Sequence, residues 1–294
     1  MRDGVINILK APGMTSNDVV YDIRRALGIK RVGHTGTLDP GACGVLPVCI
    51  GKATRLFDYL AEKEKEYITE VTFGKETDTL DSYGSITAHC DRIIEEEDIL
   101  SVIPEFMGEI EQTAPMYSAV SVNGERLYKL ARRGIEVERK KRRVTVSKIE
   151  LIRKCGANRF LFKTRCSKGT YIRTLFSDIA HSLNSCAYVS FLLRSASGRF
   201  NIEDSVTINE VREALSRGDE NSLILPVHEA LDFMPKVVFK DNEQIKKRLI
   251  NGASIRFKND NKLIRVFCDE QFLGIGECED GCMRIKTQFC EEIK

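Results

Sequence analysis

Apolar residues recur at helical spacing over residues 14–28, MTSNDVVYDIRRALG, where Val20, Ile23 and Leu27 share one face. Thr15, Ser16 or Asn17 can cap that helix, and Gly28 can end it. Three segments alternate instead: EYITEVTFG at 66–74, RVTVSKIELIRK at 143–154 and RFLFKTRCS at 159–167 read as strands. TYIRTLFSDIAHSLNS, 170–185, returns to the helical period with Ile172, Leu175, Ile179 and Leu183 in one stripe, and TINEVREALSRGD, 207–219, is a further capped helix. After residue 231 the texture changes. A short helix over 241–253, ended by Gly252, precedes compact strand candidates at 254–257, 263–268, 272–277 and 283–286, separated by turn signals such as Glu279-Asp280-Gly281. Strands mixed with separate helices, without strict βαβ alternation, predict an α+β fold on a mixed or antiparallel central sheet flanked by helices. The expected domains are 1–231 and a small β-rich unit, 232–294.

One stretch fits neither period. RVGHTGTLDPGACGVLP, residues 31–47, holds four glycines around a single carboxylate. Pro40 drives the preceding Asp39 out of helical backbone geometry, and Gly33, Gly36, Gly41 and Gly44 permit close backbone approach. The segment reads as a loop built to present Asp39.

Composition narrows the classes. With 294 residues, 42% hydrophobic and 30% charged, the chain can bury a sizeable core. No apolar run reaches the ~20 residues of a bilayer span, and the N-terminus lacks the apolar centre of a signal peptide, so a cytoplasmic location is expected. Ten cysteines then fit free thiols. Cys278 and Cys282 have a short gap, but Cys268 and Cys290 lie at irregular distances, and His34, His89, His181 and His228 are scattered, so no metal is expected. Neither a phosphate-binding G-x-x-x-x-G-K-[ST] loop nor a convincing dinucleotide fingerprint occurs. The net charge is only +2, yet residues 125–143 hold nine Lys/Arg against three Glu, a density that suits a phosphate backbone. The acidic run 91–111 reads as a solvated face.

Five blocks, KAPGMTSNDVV, GHTGTLDPGACGVLP, KEYITEVTFGKETDTLDSYG, PMYSAVSVNGERLYKLARRG and SKGTYIRTL, resemble in order those of the TruB family of tRNA pseudouridine-55 synthases. The C-terminal unit resembles the PUA-type RNA-binding module of that family. The resemblance implies the pseudouridine synthase fold and cofactor-free isomerisation of one uridine in the tRNA T-loop, in a pocket that receives a flipped-out nucleotide. It makes Asp39 the essential carboxylate, acting at sugar C1′ or base C6. It further implies Tyr67 as the residue stacking on the base, with Tyr171 and Leu192 at the pocket. Arg173 pairs with the aspartates, Asp81 included; His34 meets the displaced nucleotide, and Lys10 supports the loop. Residues of about 116–143 match a mobile insertion that closes over the T-arm, with Arg132, Arg133, Lys140, Lys141, Arg142 and Arg143 on phosphates. The chain departs from the pattern at Ala11, Ala114, Ser121 and Leu193, the last two removing positive charge.

No obligatory protein partner and no membrane is expected. The alternative from another class is a non-catalytic tRNA-binding or tRNA-folding chaperone. A guide-RNA-dependent relative is expected to carry terminal extensions. A zinc deaminase lacks its H-x-E and C-x-x-C pair here, and a methyltransferase lacks its cofactor loop.

Overall fold

Two apolar runs near the N-terminus, Gly4–Lys10 and Cys43–Ile50, pair antiparallel from Gly4↔Ile50 to Lys10↔Gly44 in the computed structural model, which describes residues 3–122 and 124–290. Alternate residues of a strand point to opposite faces. Ile6, Ile8, Leu46 and Val48 therefore pack with Val19, Val20 and Ile23 of the helix Ser16–Leu27 and Val211 of the helix Ile208–Arg217. Val5, Val45 and Cys49 face the other way, onto Leu56, Leu60 and Leu231. Burial on both faces is why these strands read as continuous apolar runs rather than alternations.

They belong to a ten-stranded sheet. Its order is Leu225–Pro226, Gly4–Lys10, Cys43–Ile50, Ala187–Ser197, Lys65–Phe73, Arg159–Cys166, Lys141–Gly156 and Gly108–Thr113, with Val32–His34 and Phe200–Asn201 as short additions. Every pairing is antiparallel except that of Cys43–Ile50 with Ala187–Ser197, which run parallel through Leu193↔Cys43 and Arg194↔Gly44. The sheet is thus mixed, as the sequence predicts. The helix Ile172–Ser182 covers one face, where Leu175, Phe176 and Ile179 pack on Val71, Phe73, Phe160 and Phe162.

Local signals act as read. Thr15, of the three candidates, caps the first helix, its side chain accepting from the Asp18 N–H while Asp18 accepts from the Thr15 N–H; Gly28 closes it in the left-handed region. Thr207 with Glu210, and Gly218, do the same for Ile208–Arg217.

A separate five-stranded sheet follows, ordered Lys236–Phe239, Leu263–Cys268, Gln271–Glu279, Cys282–Gln288 and Ile255–Arg256. Ile264, Val266, Leu273 and Met283 form its core with Leu249 and Ile250 of the helix Glu243–Ile250. Ile275 crosses to the Val5–Val45 cluster. Arg55 donates to the Gln288 carbonyl at 2.8 Å, and the Tyr59 and Thr287 hydroxyls meet at 3.0 Å, so polar and apolar contacts both join the sheets.

Two expectations are revised. Residues 31–47 are not loop throughout: Val32–His34 and Cys43–Ile50 are strands, because their apolar residues are needed on both sheet faces, and the loop proper is 35–42. The basic run also divides. Leu127–Ala131 is a helix, residues 132–140 are irregular, and Lys141–Arg143 enter the sheet opposite Thr113, Gln112 and Glu111. The acidic run forms the helix Glu96–Val102 with Ile94 and Ile99 buried beneath it. No helix among the described residues is long and apolar enough to cross a membrane.

The parallel junction depends on Gly44. Its φ is +111°, and a Cβ there would lie 2.8 Å from the Arg194 nitrogen. Gly44→Ala is expected to cost about 2 kcal/mol or more, from left-handed strain and backbone overlap together. Urea unfolding monitored by circular dichroism measures it, with Gly218→Ala, which meets no neighbouring atom, as the milder comparison.

Candidate active site

The loop 35–42 has little side chain of its own to bury, and three outside groups hold it by its carbonyls. Lys10, fully buried at the end of its strand, donates from Nζ to the carbonyls of Ala42 at 2.7 Å, Ala11 at 2.9 Å and Pro40 at 3.2 Å. Burial lowers its pKa to about 8, while Cys43 and Asp39 favour the charged form. Ser16 accepts from the Leu38 N–H at 2.9 Å and its Oγ lies 3.1 Å from the Leu38 carbonyl. Arg194, 2% exposed, donates from Nε to Val45 at 2.7 Å and from its terminal nitrogens to Gly36 and Thr37 at 3.1 and 3.4 Å. A loop rich in glycine is costly to order; these contacts do the ordering.

Asp39 projects from that loop onto Arg173. The carboxylate Oδ2 lies 2.8 Å from one terminal nitrogen of Arg173, and Asp81 lies 3.5 Å from the other. Arg173 enters on the first turn of its helix and is only 4% exposed, whereas Asp39 keeps 35% of its side chain open. The guanidinium also donates to the Thr79 carbonyl at 2.7 Å and the Tyr117 carbonyl at 2.9 Å. Beside these, Leu80 adopts φ +60°, an uncommon region for a branched side chain, held by the Val189 N–H donating to its carbonyl at 3.0 Å. Desolvation by the surrounding walls pushes the Asp39 carboxyl above its usual value; Arg173 opposes that shift and Asp81 adds to it.

Asp39 and Arg173 lie in a cleft of about 440 Å³ whose walls include Tyr67, Tyr171, Leu192, Lys65 and Arg194. Tyr67 stands opposite Arg194 and Leu192 opposite Thr69 on neighbouring antiparallel strands, which puts Tyr67, Leu192 and Arg194 on one sheet face. Burial raises the Tyr67 phenol, Arg194 partly offsetting it, so the ring is neutral near pH 7. Tyr171 precedes the helix that carries Arg173. Its backbone N–H donates to Gln112 at 3.0 Å and its carbonyl accepts from Gln112 at 3.2 Å, while the Arg142 guanidinium stacks 4.2 Å from its ring centre. Lys65 donates to the Ala61 and Lys63 carbonyls, and burial lowers its pKa to about 8. Thr35 and Ser118, also in the wall, have buried hydroxyls without a protein partner among the described residues. Such a space accepts a flat, polar ring and presents one carboxylate to it.

The structure therefore brings together Asp39, Arg173, Asp81, Tyr67, Tyr171 and Leu192. Lys10 lies beneath the loop, outside the cleft lining. His34 lies on the strand before the loop, its Nδ1 accepting from the Gly36 N–H at 3.3 Å; burial and Arg194 hold its pKa below the usual value. Of the six basic residues, none lines the cleft. Arg133 pairs with Glu125 at 2.7 Å, Arg143 with Glu109 at 3.3 Å and Lys141 with Glu111 at 4.0 Å. Arg132 and Lys140 are exposed, with no ion pair among the described residues. Ser16, Lys65 and Arg194 were not legible as site residues. The one available signal was an arginine inside the otherwise uncharged strand AYVSFLLRSAS. None of the ten cysteines forms a disulfide, and no cluster of metal ligands occurs among the described residues.

The chain is similar to known proteins over most of its length. The model for "TruB family pseudouridylate synthase (N terminal domain)" matches residues 24–172. A protein of Caldanaerobacter subterraneus subsp. tengcongensis named tRNA pseudouridine synthase B is 43% identical over 98% of this chain and 99% of its own length. Another of that name from Pelotomaculum thermopropionicum is 47% identical over 82% of this chain and 78% of its own. Among solved structures, a Cbf5-Nop10-Gar1 complex contains a chain with TM-score 0.72 and 28% identity, aligned over 97% of this chain and 79% of that one. An H/ACA RNP bound to a substrate RNA containing 2′-deoxyuridine contains one with TM-score 0.74 and 25% identity, over 98% and 85%.

The electrostatics give a signed expectation. The Asp39 carboxyl, followed by carbon-13 NMR, should titrate above the usual 3.8. Arg173→Met should move the midpoint further up by removing the cation, and Asp81→Asn should move it down by removing a like charge. A midpoint that ignores both substitutions would contradict the arrangement.

Proposed function

The chain belongs to the TruB family of pseudouridylate synthases and is a pseudouridine synthase; from that premise we propose that it isomerises the uridine at position 55, in the T-loop of tRNA, with Asp39 as the essential carboxylate and no cofactor. The observation that supports this best is one carboxylate, ion-paired to Arg173 at 2.8 Å, facing a cleft walled by Tyr67 and Leu192.

The reaction breaks the bond from uracil N1 to ribose C1′ and makes one from C5 to C1′; C5 loses a proton and N1 gains one. An ionised carboxylate can carry the intermediate by adding to C1′ or to C6, and either route needs Asp39 charged and fixed. Arg173 does both, since it favours the charged form and its other donors are anchored on backbone carbonyls. The uridine must leave its stack to arrive there. Tyr67, kept neutral by burial, suits stacking on the base; Leu192 and Tyr171 bound the space, and the buried hydroxyls of Thr35 and Ser118 can meet polar edges of the ring. His34, uncharged at neutral pH, meets the displaced nucleotide at the loop entrance, and Asp81 holds Arg173 from the other side. Lys10 keeps the loop in place.

Relatives at 43–47% identity are named for tRNA, which supports that substrate. We take the protein to act on free tRNA in the cytoplasm, without an obligatory protein partner. Within 1–231 lies the catalytic part; 232–294 would act as the PUA-like RNA-binding part. Arg132, Arg133, Lys140, Lys141, Arg142 and Arg143 would meet phosphates, where contacts position the RNA rather than read it.

Tritium at uridine C5 of an unmodified tRNA transcript is released by the reaction. Native protein should release it from the T-loop position, whereas Asp39→Asn should lower the rate by about three orders of magnitude or more while still binding tRNA. No release by native protein despite tight binding would favour an RNA-folding role. The joint reversal Arg132→Glu and Lys140→Glu should weaken tRNA binding several-fold and flatten the log–log salt dependence by about one unit for each phosphate that is no longer neutralised. An unchanged slope in filter-binding titrations would remove these residues from the interface.

A further inference from the structure

Tyr171 stands where a helix ordinarily carries another kind of residue. It is the N-cap of the helix Ile172–Ser182, with φ −95° and ψ 108°, and its side chain makes no capping hydrogen bond. Serine, threonine, asparagine or aspartate at that place would bind the free N–H groups of the first turn. Here the cap position carries a ring that lines the cleft, so the start of the helix has to be fixed from elsewhere.

Gln112, on the edge strand Gly108–Thr113 of the large sheet, fixes it. Its carboxamide meets both peptide groups of Tyr171: Oε1 accepts from the N–H at 3.0 Å, and Nε2 donates to the carbonyl at 3.2 Å. Only this orientation of the amide works, because the reverse would set donor against donor and acceptor against acceptor. No other side chain among the described residues hydrogen-bonds the Tyr171 backbone. Gln112 is 1% exposed and lies outside the cleft walls, so it reaches the cleft only through Tyr171.

Two further contacts complete the clamp. Arg142 stands opposite Gln112 on the next strand and lays its guanidinium 4.2 Å from the Tyr171 ring centre. Further along the segment that follows Gln112, the Tyr117 carbonyl accepts from Arg173 at 2.9 Å. The edge of the sheet and its extension thus hold residues 171–173 at the backbone, at the ring and at the guanidinium.

We propose that Gln112 is a positioning residue for the reaction at Asp39: its carboxamide fixes the Tyr171 backbone, and through it both the Tyr171 ring and the first helical turn that brings Arg173 to Asp39. This rests on the function proposed above. The path is short, since Arg173 lies two residues past Tyr171 and sits 2.8 Å from the Asp39 carboxylate. A misplacement of about 1 Å in such an arrangement can cost about a hundred-fold in rate.

Gln112→Met keeps the length of the side chain and removes both hydrogen bonds. The Tyr171 N–H, followed by hydrogen exchange in NMR, should then exchange about ten-fold faster, as the loss of one hydrogen bond implies. The Asp39 carboxyl should titrate above its native midpoint, because the cation that opposes the upward shift is less well placed. The kcat for tritium release should fall about ten-fold or more, while KM for tRNA stays within about three-fold. Gln112→Asn, which keeps the amide but withdraws it by one methylene, should give the same shifts in smaller measure, and serves if Gln112→Met does not fold. Gly218→Ala, outside the cleft walls, should lower the urea midpoint and leave both the Asp39 titration and kcat unmoved, which separates positioning from a general loss of stability. A native Asp39 midpoint and native kcat in folded Gln112 variants would overturn the proposal. So would a loss confined to KM, which would assign Gln112 to RNA binding. The titration needs no turnover: a displaced midpoint without tritium release by native protein sinks only the activity, and release with unaffected Gln112 variants sinks only the positioning.

Discussion

Everything at the centre of this molecule meets on the guanidinium of Arg173. It binds two carboxylates, Asp39 and Asp81, and two backbone carbonyls, those of Thr79 and Tyr117. Those partners come from the loop 35–42, from the segment around Leu80 and from the segment leading into the basic run. A buried cation is costly unless its hydrogen-bonding capacity is used, and here it is used by pieces of chain remote in sequence. Burying this one side chain therefore enforces the mutual placement of all three segments.

A second set of cations shapes the loop without touching the carboxylate. Lys10 and Arg194 are both almost wholly buried, and their hydrogen-bond partners are carbonyl oxygens rather than acids. Carbonyls hold the loop firmly and leave the positive charge uncancelled around the cleft. The surroundings then pull in two directions on Asp39: nearby cations favour its charged form, and the low-polarity walls disfavour it. An anionic group in a partly dry cleft, ringed by fixed cations, is chemically poised in a way that a solvated surface aspartate is not.

The sheet supplies the rigidity this requires. At the parallel junction Gly44 lets the Asp39 loop's exit strand lie against Arg194, and the strand of Arg194 also carries Leu192 and Phe191. Tyr67 comes from the next strand over. Residues separated by more than a hundred positions are thus fixed by neighbouring hydrogen-bonded ladders, a more exact placement than loops alone provide.

The sequence by itself determined the elements whose information is local. Thr15 and Gly28 bound a helix because capping is a matter of a few adjacent atoms, and the strands Lys65–Phe73 and Arg159–Cys166 alternate because their two faces meet different surroundings. Asp39 was legible because an aspartate before proline among glycines has few structural uses, and the ordered motifs carried the family. Tertiary structure alone decided the rest. Gly4–Lys10 and Cys43–Ile50 show no period of two because both faces are buried, a fact that depends on what packs on them. Arg194, Ser16 and Lys65 act through carbonyls, which every residue carries and no side-chain pattern announces. Lys141–Arg143 belong to a strand because Gly108–Thr113 is there to pair with them. Gln112 meets the backbone of Tyr171, fifty-nine residues later in the chain, because the fold lays the edge strand Gly108–Thr113 beside the start of the helix Ile172–Ser182.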